Sequence, residues 1–458
     1  MSEEILKLAS NKRIILCSDG TWRASDMGDK SAPSNVAKLA RAIASSGRVD
    51  EKNGEKKVVK QIVSYYSGLG SGDLPFQKAL YGVLGWGLDI DVCQIYDFIS
   101  NNYEDGDELF FFGFSRGAFT VRSVAGLVCD VGVLSAVHML HFADMWKAYR
   151  KNTSGKPFRE TAWYNNNKEK LGLRDVRIKV IGVWDTVGAL GIPEWPVVSW
   201  ARKVGFLINK KYAFHNTSPS KKIDYAFQAL AIDERRLTFP PTLWDKNDDD
   251  SRPVLQQCWF PGVHGNIGGG QRKDLEEIGH NTFAWMVDNL SGMLTFEDTA
   301  IEALIEEHRR VLNTHSWGCG PIIDNFSGLT GAFFRLLGKK DRTPGACARD
   351  QGDGTSVNTK ESFHPITRIR KDNLNYEPAS LQVYAHERCD DSKGWRWNKE
   401  GLLSIPEYYM CPDKKMTVAY KEGGSVKYDV KESLSRLLCP GDTLLELDRD
   451  NEGNRRVG

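Results

Sequence analysis

Several absences narrow the field before any motif is read. The 458-residue chain has no run approaching the roughly 20 apolar residues that a membrane-spanning helix needs. Its opening, MSEEILKLASNKR, carries acids early and has no apolar stretch of the secretory kind, so the expected location is cytoplasmic. Charge of one sign is also missing. Lys plus Arg number 61 and Asp plus Glu 60, which excludes a global field for nucleic acid and leaves anionic surfaces to local patches. The nine cysteines are odd in number, scattered, and never spaced as CxxC. Cys17 in IILCSDG and Cys129 in GLVCDVG sit in apolar runs, which fits buried free thiols in a reducing compartment. Internal repeats and low-complexity stretches are absent.

What is present is alternation. Short β-branched and aromatic runs at Arg13–Ser18, Lys60–Tyr66, Glu108–Phe114, Arg177–Trp184 and Val254–Phe260 read as five strands. Between them lie helical patterns at Asn35–Ser46, around Leu88, Val92, Ile95 and Ile99, and at Phe119–Leu127. ELFFFGF is continuously apolar, as suits a strand covered on both faces. The pattern predicts an α/β fold with a doubly wound, mainly parallel sheet ending near Leu290. A helix at Glu297–Leu312 and Gly- and Pro-punctuated chain follow, then a small β-rich C-terminal appendage with runs such as MTVAY and SVKYDV. The expected division is 1–290 for a catalytic core with a lid insertion near 190–215, 291–380 for a helical and loop extension, and 381–458 for the β-rich region.

Chemistry concentrates at Gly113–Gly117, G-F-S-R-G, between a predicted strand and a predicted helix. A serine on such a turn is held in strained geometry, and Gly113 and Gly117 let the chain turn without Cβ clashes. The helix start then offers the Arg116 backbone N–H to a developing oxyanion. Ser115 is thus the candidate nucleophile; the competing reading is a packing turn whose serine caps the helix.

On α/β-hydrolase scaffolds an acid and then a histidine follow the nucleophile. Asp185 ends the next strand, RIKVIGVWD, and is the candidate acid, against an ordinary Asx turn. His264 lies just past the last strand in WFPGVHGNIGGG, on a loop that its glycines make pliant enough to reach the serine; His364 in FHPITR is its rival as base. A second oxyanion donor is expected after the first strand, from Gly20 or Thr21, with Asp19 bracing the loop; a plain Asp-Gly turn is the alternative.

Taken together, SDGTW (Ser18–Trp22), PSNVAKLARAI (Pro33–Ile43), GDELFFFGFSRGAFTVRS (Gly106–Ser123), VIGVWDTVGALG (Val180–Gly191), FHNT (Phe214–Thr217), ALAIDERRLTFPPTLWD (Ala229–Asp245) and WFPGVHGNIGGG (Trp259–Gly270) resemble one family. It is the α/β-hydrolase domain of the type VI secretion phospholipase effectors and their uncharacterised relatives, many of them stand-alone fungal proteins. The likeness spans about residues 12 to 290, with a weaker tail to about 380. It implies a sheet of α/β-hydrolase type and matches the family's nucleophile, acid and base to Ser115, Asp185 and His264. Arg23 follows DGTW where the family often has Asn, and Gly265-Asn266 follows the histidine where it often has Ser-Asp. These changes spare the triad and alter the loops around it.

The expected function is serine-dependent cleavage of a carboxylic ester, of a lipid or another small molecule, with no cofactor and no metal. Hydrolysis of soluble esters, thioesters or amides, or a non-catalytic interaction module, are the alternatives. DKNDDD (Asp245–Asp250) lacks EF-hand spacing and reads as a solvated acidic loop. Two segments suit peripheral membrane contact. One is Ile192–Phe206, with Trp195, Trp200, Arg202 and Lys203. The other is Leu329–Arg342, with Phe333, Phe334, Leu336, Leu337, Lys339 and Lys340. Both also suit packing against the core.

Overall fold

The computed structural model describes residues 7–20, 32–50, 55–67, 88–152, 156–187, 218–247, 250–347, 349–350, 356–389 and 394–452. In chain order the main strands are β1 (Lys7–Ser18), β2 (Ser46–Asp50), β3 (Lys56–Tyr66), β4 (Glu108–Phe114), β5 (Ile178–Trp184) and β6 (Ile223–Ala231). After the short β7 (Lys246–Asn247) come β8 (Val254–Phe260), β9 (Thr295–Glu297), β10 (Arg349–Asp350), β11 (Ser356–Asn358) and β12 (Glu361–Phe363). The last are β13 (Ala385–Arg388), β14 (Trp395–Asn398), β15 (Ile405–Pro406), β16 (Lys415–Glu422) and β17 (Ser425–Glu432).

Eight strands form the central sheet in the order β12-β8-β6-β5-β4-β1-β3-β2. Seven run parallel, and only the edge strand β2 is antiparallel to its neighbour. The fold is α/β with a doubly wound, mostly parallel sheet, as the alternation predicts. Side chains alternate across it. From β4, Phe110, Phe112 and Phe114 enter one core, shared with Leu39, Phe283, Trp285 and Ile301. Leu109 and Phe111 enter the other, with Ile95, Val121, Val124 and Trp146. Helices Asn35–Ala42, Glu277–Asn289 and Asp298–Leu312 therefore cover one face. Helices Leu88–Asn102, Arg116–Asp130 and Phe142–Lys151 cover the other. The strand order reverses at β1, and the carboxyl ends of β1 and β4 flank that switch point, where open α/β sheets form their crevice.

Three features differ from the sequence reading. The first helix stops at Ala42 rather than Ser46, because Ile43 bridges to Phe296 and the Ala44 N–H donates to Thr295 O. Sheet pairing there outweighs helical spacing. β6 was not among the five predicted strands. Its apolar run is interrupted by Gln228, which is wholly buried and satisfied by Thr186, Arg122, Thr242 and Gln257. Those partners are remote in sequence, so nothing local announces them. Finally, the sheet takes β12 from well beyond Leu290, a three-residue strand whose buried Glu361 accepts from the Trp259 indole N–H at 2.6 Å.

Smaller sheets surround this one: β10-β11-β7, β13-β14-β15 and β17-β16-β9. The MTVAY and SVKYDV runs lie in β16 and β17, joined by Gly423 and Gly424 at φ 58° and 84°, the signs a two-residue hairpin turn requires. The β-rich C-terminal region is thus present, with helices Leu434–Leu438 and Gly441–Asp450 after it. Among the described residues no helix is long and apolar enough to cross a membrane.

A close backbone crossing lies where the helix Arg116–Asp130 starts against the end of β1. A Cβ on Gly117 would stand 2.1 Å from Ser18 O and 2.5 Å from Asp19 O. Gly126, nine residues along the same helix, has nothing within 4 Å of its would-be Cβ. Gly117→Ala is expected to lower the unfolding free energy by about 1–3 kcal/mol or more through overpacking. Gly126→Ala is expected to raise it by about 0.5–1 kcal/mol through helix propensity. Chemical denaturation of the two variants checks the pair, and equal effects would contradict the crossing.

Candidate active site

Ser115 is the residue between β4 and the helix Arg116–Asp130. Its backbone sits at φ 57°, ψ −121°, a conformation costing a non-glycine residue about 1–3 kcal/mol. It makes no side-chain cap, so the helix-capping alternative for this serine does not hold. The Ser115 N–H donates to Trp184 O, the last residue of β5. Gly113 and Gly117 flank the turn as the motif predicts, and Arg116 is the first helical residue, at the positive end of the helix.

Asp185 follows β5 directly, also at positive φ (42°), with its N–H donated to Ala229 O. His264 opens the short helix His264–Gly268 after β8. The three meet. His264 Nε2 lies 2.8 Å from Ser115 Oγ, and His264 Nδ1 lies 2.6 Å from Asp185 Oδ2. Ser115 and His264 are 8% and 6% exposed and Asp185 is fully buried, so water screens the chain of bonds weakly.

The loop around His264 is firmer than its glycines suggest. Asn266 Oδ1 accepts from the Val263 and Ile323 N–H groups, and its amide donates to Pro321 O. The imidazole packs between Phe114, with ring centroids 4.7 Å apart, and Phe239, 5.1 Å away and edge-on. The His264 backbone N–H donates to Glu234 Oε2 at 3.2 Å, and Glu234 is held in turn by Arg236 and Asn325. Burial pushes the imidazole below its ordinary 6.5, with Arg236 acting in the same direction and Asp185 and Glu234 opposing.

Sequence reading missed the strongest partner of the acid. Arg342, 4% exposed, forks onto Asp185: Nη1 bonds to Oδ1 and Nη2 to Oδ2 at 3.0 Å. Burial works against the Asp185 charge, but Arg342 and His264 outweigh it and hold the carboxyl well below the usual carboxylate range. Arg342 ends the run LTGAFFRLLGKKDR, where it looks like one more surface cation. No local signal separates it from Lys339 and Lys340, which are exposed. Glu234 and Phe239, in DERRLTF, were visible only as part of a motif.

At the end of β1, Asp19 braces its loop. Its carboxylate accepts from the Gly20 N–H, the Ser34 hydroxyl and the Tyr65 hydroxyl. Gly20 stands against the serine, and a Cβ there would lie 3.1 Å from Ser115 Cβ. Its N–H donates to Asp19 Oδ1 at 2.7 Å. Thr21 lies outside the described residues, as do Trp195, Trp200 and the segment 188–217. His364 is engaged elsewhere. It caps the helix Pro365–Leu374, stacks 4.6 Å from Phe260, and is pushed down to about 3 by burial. In the acidic loop, Asp245 accepts from Ser218 and Asp250 pairs with Lys221, while Asp248 and Asp249 lie outside the described residues.

A chain of hydroxyl, imidazole and buried carboxylate can move a proton off the serine and hold the resulting imidazolium. Comparison with known proteins bears on what such a site serves. The uncharacterized protein YEL023C of Saccharomyces cerevisiae is 28% identical over 249 residues, 50% of this chain. That region is 32% of the yeast protein, so the chain spans about a third of the length of this curated relative. The crystal structure of an uncharacterized protein from Pseudomonas aeruginosa aligns over 61% of this chain and 45% of its own, at 17% identity and a TM-score of 0.32. The Tle1 effector bound to the VgrG spike of the Type 6 secretion system aligns over 58% and 52%, at 17% identity and a TM-score of 0.29. A family model for the type VI secretion phospholipase effector Tle1-like catalytic domain matches residues 12–289. That match runs from β1 to the end of the helix Glu277–Asn289, more than half of the chain, and on it the chain belongs to the Tle1-like phospholipase effector catalytic-domain family.

Proposed function

We propose that this chain is a serine hydrolase of lipid acyl esters, with Ser115 as nucleophile, His264 as general base and Asp185 as the acid that orients it. The observation that carries the reading is the continuous pair of short bonds, 2.8 Å from Ser115 to His264 and 2.6 Å from His264 to Asp185, on a serine at φ 57°. Membership of a phospholipase effector family supports ester hydrolysis on a lipid at the level of substrate class. In the proposed reaction Ser115 Oγ attacks the carbonyl carbon while His264 Nε2 takes its proton. The alcohol leaves with that proton; water then attacks the acyl-serine with His264 again as base, the bond to Ser115 Oγ breaks, the carboxylic acid is released and His264 returns the proton to Ser115. The Arg116 backbone N–H is the proposed oxyanion donor. Thr21 is preferred as the second, because the Gly20 N–H is held by Asp19.

An apolar surface beside this site favours a lipid over a soluble ester. On the helix Gly328–Leu337, Phe334 packs 6.1 Å from Phe239, which touches His264. Leu336 is 86% exposed on that helix, Leu237 is 48% exposed nearby, and Arg335, Lys339 and Lys340 lie around them. We assign this patch to peripheral contact with the lipid headgroup region. The nine free thiols suit a reducing, cytoplasmic setting.

Two outcomes are expected. Ser115→Ala keeps the fold and loses at least ~10³-fold in ester turnover. In the unaltered protein, kcat/KM rises with pH on the acidic side, because only the neutral imidazole accepts the proton, and its midpoint lies below 6.5. Steady-state hydrolysis of a short-chain nitrophenyl ester from pH 4 to 9 checks both. Undiminished turnover by the alanine variant would refute the nucleophile. For the lipid patch, Leu336→Glu in the Ser115→Ala background should weaken co-sedimentation with phosphatidylglycerol vesicles by about ten-fold. Alone, it should leave the soluble ester rate unchanged. Equal sedimentation of both proteins would move the reading to soluble esters.

A further inference from the structure

Arg342 lies 53 residues beyond the segment that the catalytic-domain model matches, 12–289, yet it binds the acid of the proposed triad. Its side chain is built into place. Of its five N–H groups, two reach the Asp185 oxygens, one donates to Ala231 O and one to Phe239 O, both at 3.0 Å. Ala231 ends β6, and its own N–H donates to Asp185 Oδ1 at 3.1 Å. One planar guanidinium thus fastens the end of β6, the loop carrying Phe239, and the carboxylate after β5. The segment that delivers it runs against the chain at 235–239. Leu237 N–H donates to Gly338 O, Lys340 N–H donates to Arg235 O, Arg236 bridges to Lys339, and Arg235 pairs with Asp341 at 2.6 Å.

We propose that Arg342 is a positioning residue for the hydrolytic reaction, a clamp supplied by the chain beyond the catalytic segment that holds Asp185 in the plane from which Asp185 orients His264. This rests on the reading of Ser115, His264 and Asp185 as a hydrolytic triad. Two consequences follow from the geometry. An imidazole aligned by a carboxylate that has lost both Arg342 bonds and keeps only the Ala231 N–H spends less time aimed at Ser115, and misplacement on the ångström scale costs about 100-fold in rate. The cation also shares Asp185 Oδ2 with His264, Nη2 at 3.0 Å and Nδ1 at 2.6 Å. The charged groups around that imidazole are Asp185, Glu234, Arg236 and, through Asp185, Arg342. Removing Arg342 subtracts a positive charge, so the imidazolium becomes easier to form and the acidic limb moves to higher pH. Substrate has no part in the clamp, so KM is unaffected.

The test compares the unaltered 458-residue chain with its Arg342→Met and Arg342→Lys variants. The readouts are the rate of labelling by a fluorophosphonate, the steady-state constants on a short nitrophenyl ester, and the pH at the midpoint of the acidic limb. The methionine variant should label and turn over about 100-fold more slowly, with little change in KM and a limb displaced to higher pH. Lysine keeps the charge but reaches one oxygen at a time, so it should lose about ten-fold and keep the limb near its wild-type position. If the methionine variant does not fold, the lysine variant decides alone, and a wild-type rate there overturns the clamp. A reduced fraction of labelled methionine variant at an unaltered rate and limb would also overturn it, since Arg342 would then serve folding only. Failure of the wild-type protein to label at Ser115 would overturn the triad reading itself, and the clamp with it.

Discussion

Asp185 is a carboxylate with no access to water, and much of the surrounding architecture can be understood as the means of keeping it charged there. A buried, unpaired carboxylate would take up a proton or destabilise the fold. Here it meets a guanidinium, a backbone N–H and an imidazole, drawn from three separate stretches of chain. The strand ends supply two of them: Ala231 closes β6, and His264 follows β8. The third, Arg342, comes from outside the sheet. Because these partners must all arrive at one point, the placement of Asp185 constrains the crossover geometry of the carboxyl edge and the path of the chain after Leu290.

The same demand explains how the serine is presented. β4 and β5 are neighbours in the sheet, so the residues that follow them, Ser115 and Asp185, emerge side by side. Both take positive φ, and each is pinned by a backbone bond to the next strand: Ser115 N–H to Trp184 O and Asp185 N–H to Ala229 O. His264 then bridges them from the far side, wedged between Phe114 and Phe239. Strain at two backbone positions is held by a sheet whose strand β4 sends phenylalanines into the cores on both faces, and a packed surround of this kind is where such strain can persist.

Much of this was legible in sequence because it is local. ELFFFGFSRG states a buried strand, a tight turn and a helix start within ten residues, and RIKVIGVWD states a strand with a carboxylate at its end. Ser115, Asp185 and His264 were each named from such context, and the structure brings them together. What escaped is non-local. Arg342 is written in a basic run, GKKDR, where its neighbours Lys339 and Lys340 are exposed; only the fold reveals that it turns inward. β6 was hidden by Gln228, whose burial makes sense only once Thr186, Arg122 and Gln257 converge on it. Gly20 or Thr21 was read as a second amide donor, and the Gly20 N–H bonds to the neighbouring Asp19 side chain, a competition that residue spacing cannot express.

The proposed chemistry makes one demand that a non-catalytic role for this fold does not share: an acyl group, here one taken from a lipid, must spend part of each turnover on Ser115. The direct measurement is to mix the protein with a phosphatidylcholine of defined acyl chains, quench in acid during turnover, digest, and weigh the peptides by mass spectrometry. The account predicts the acyl mass on the peptide containing Ser115, and its loss when His264 is replaced by Ala. Release of fatty acid with Ser115 never acylated, or an acyl group found on another residue, would contradict it.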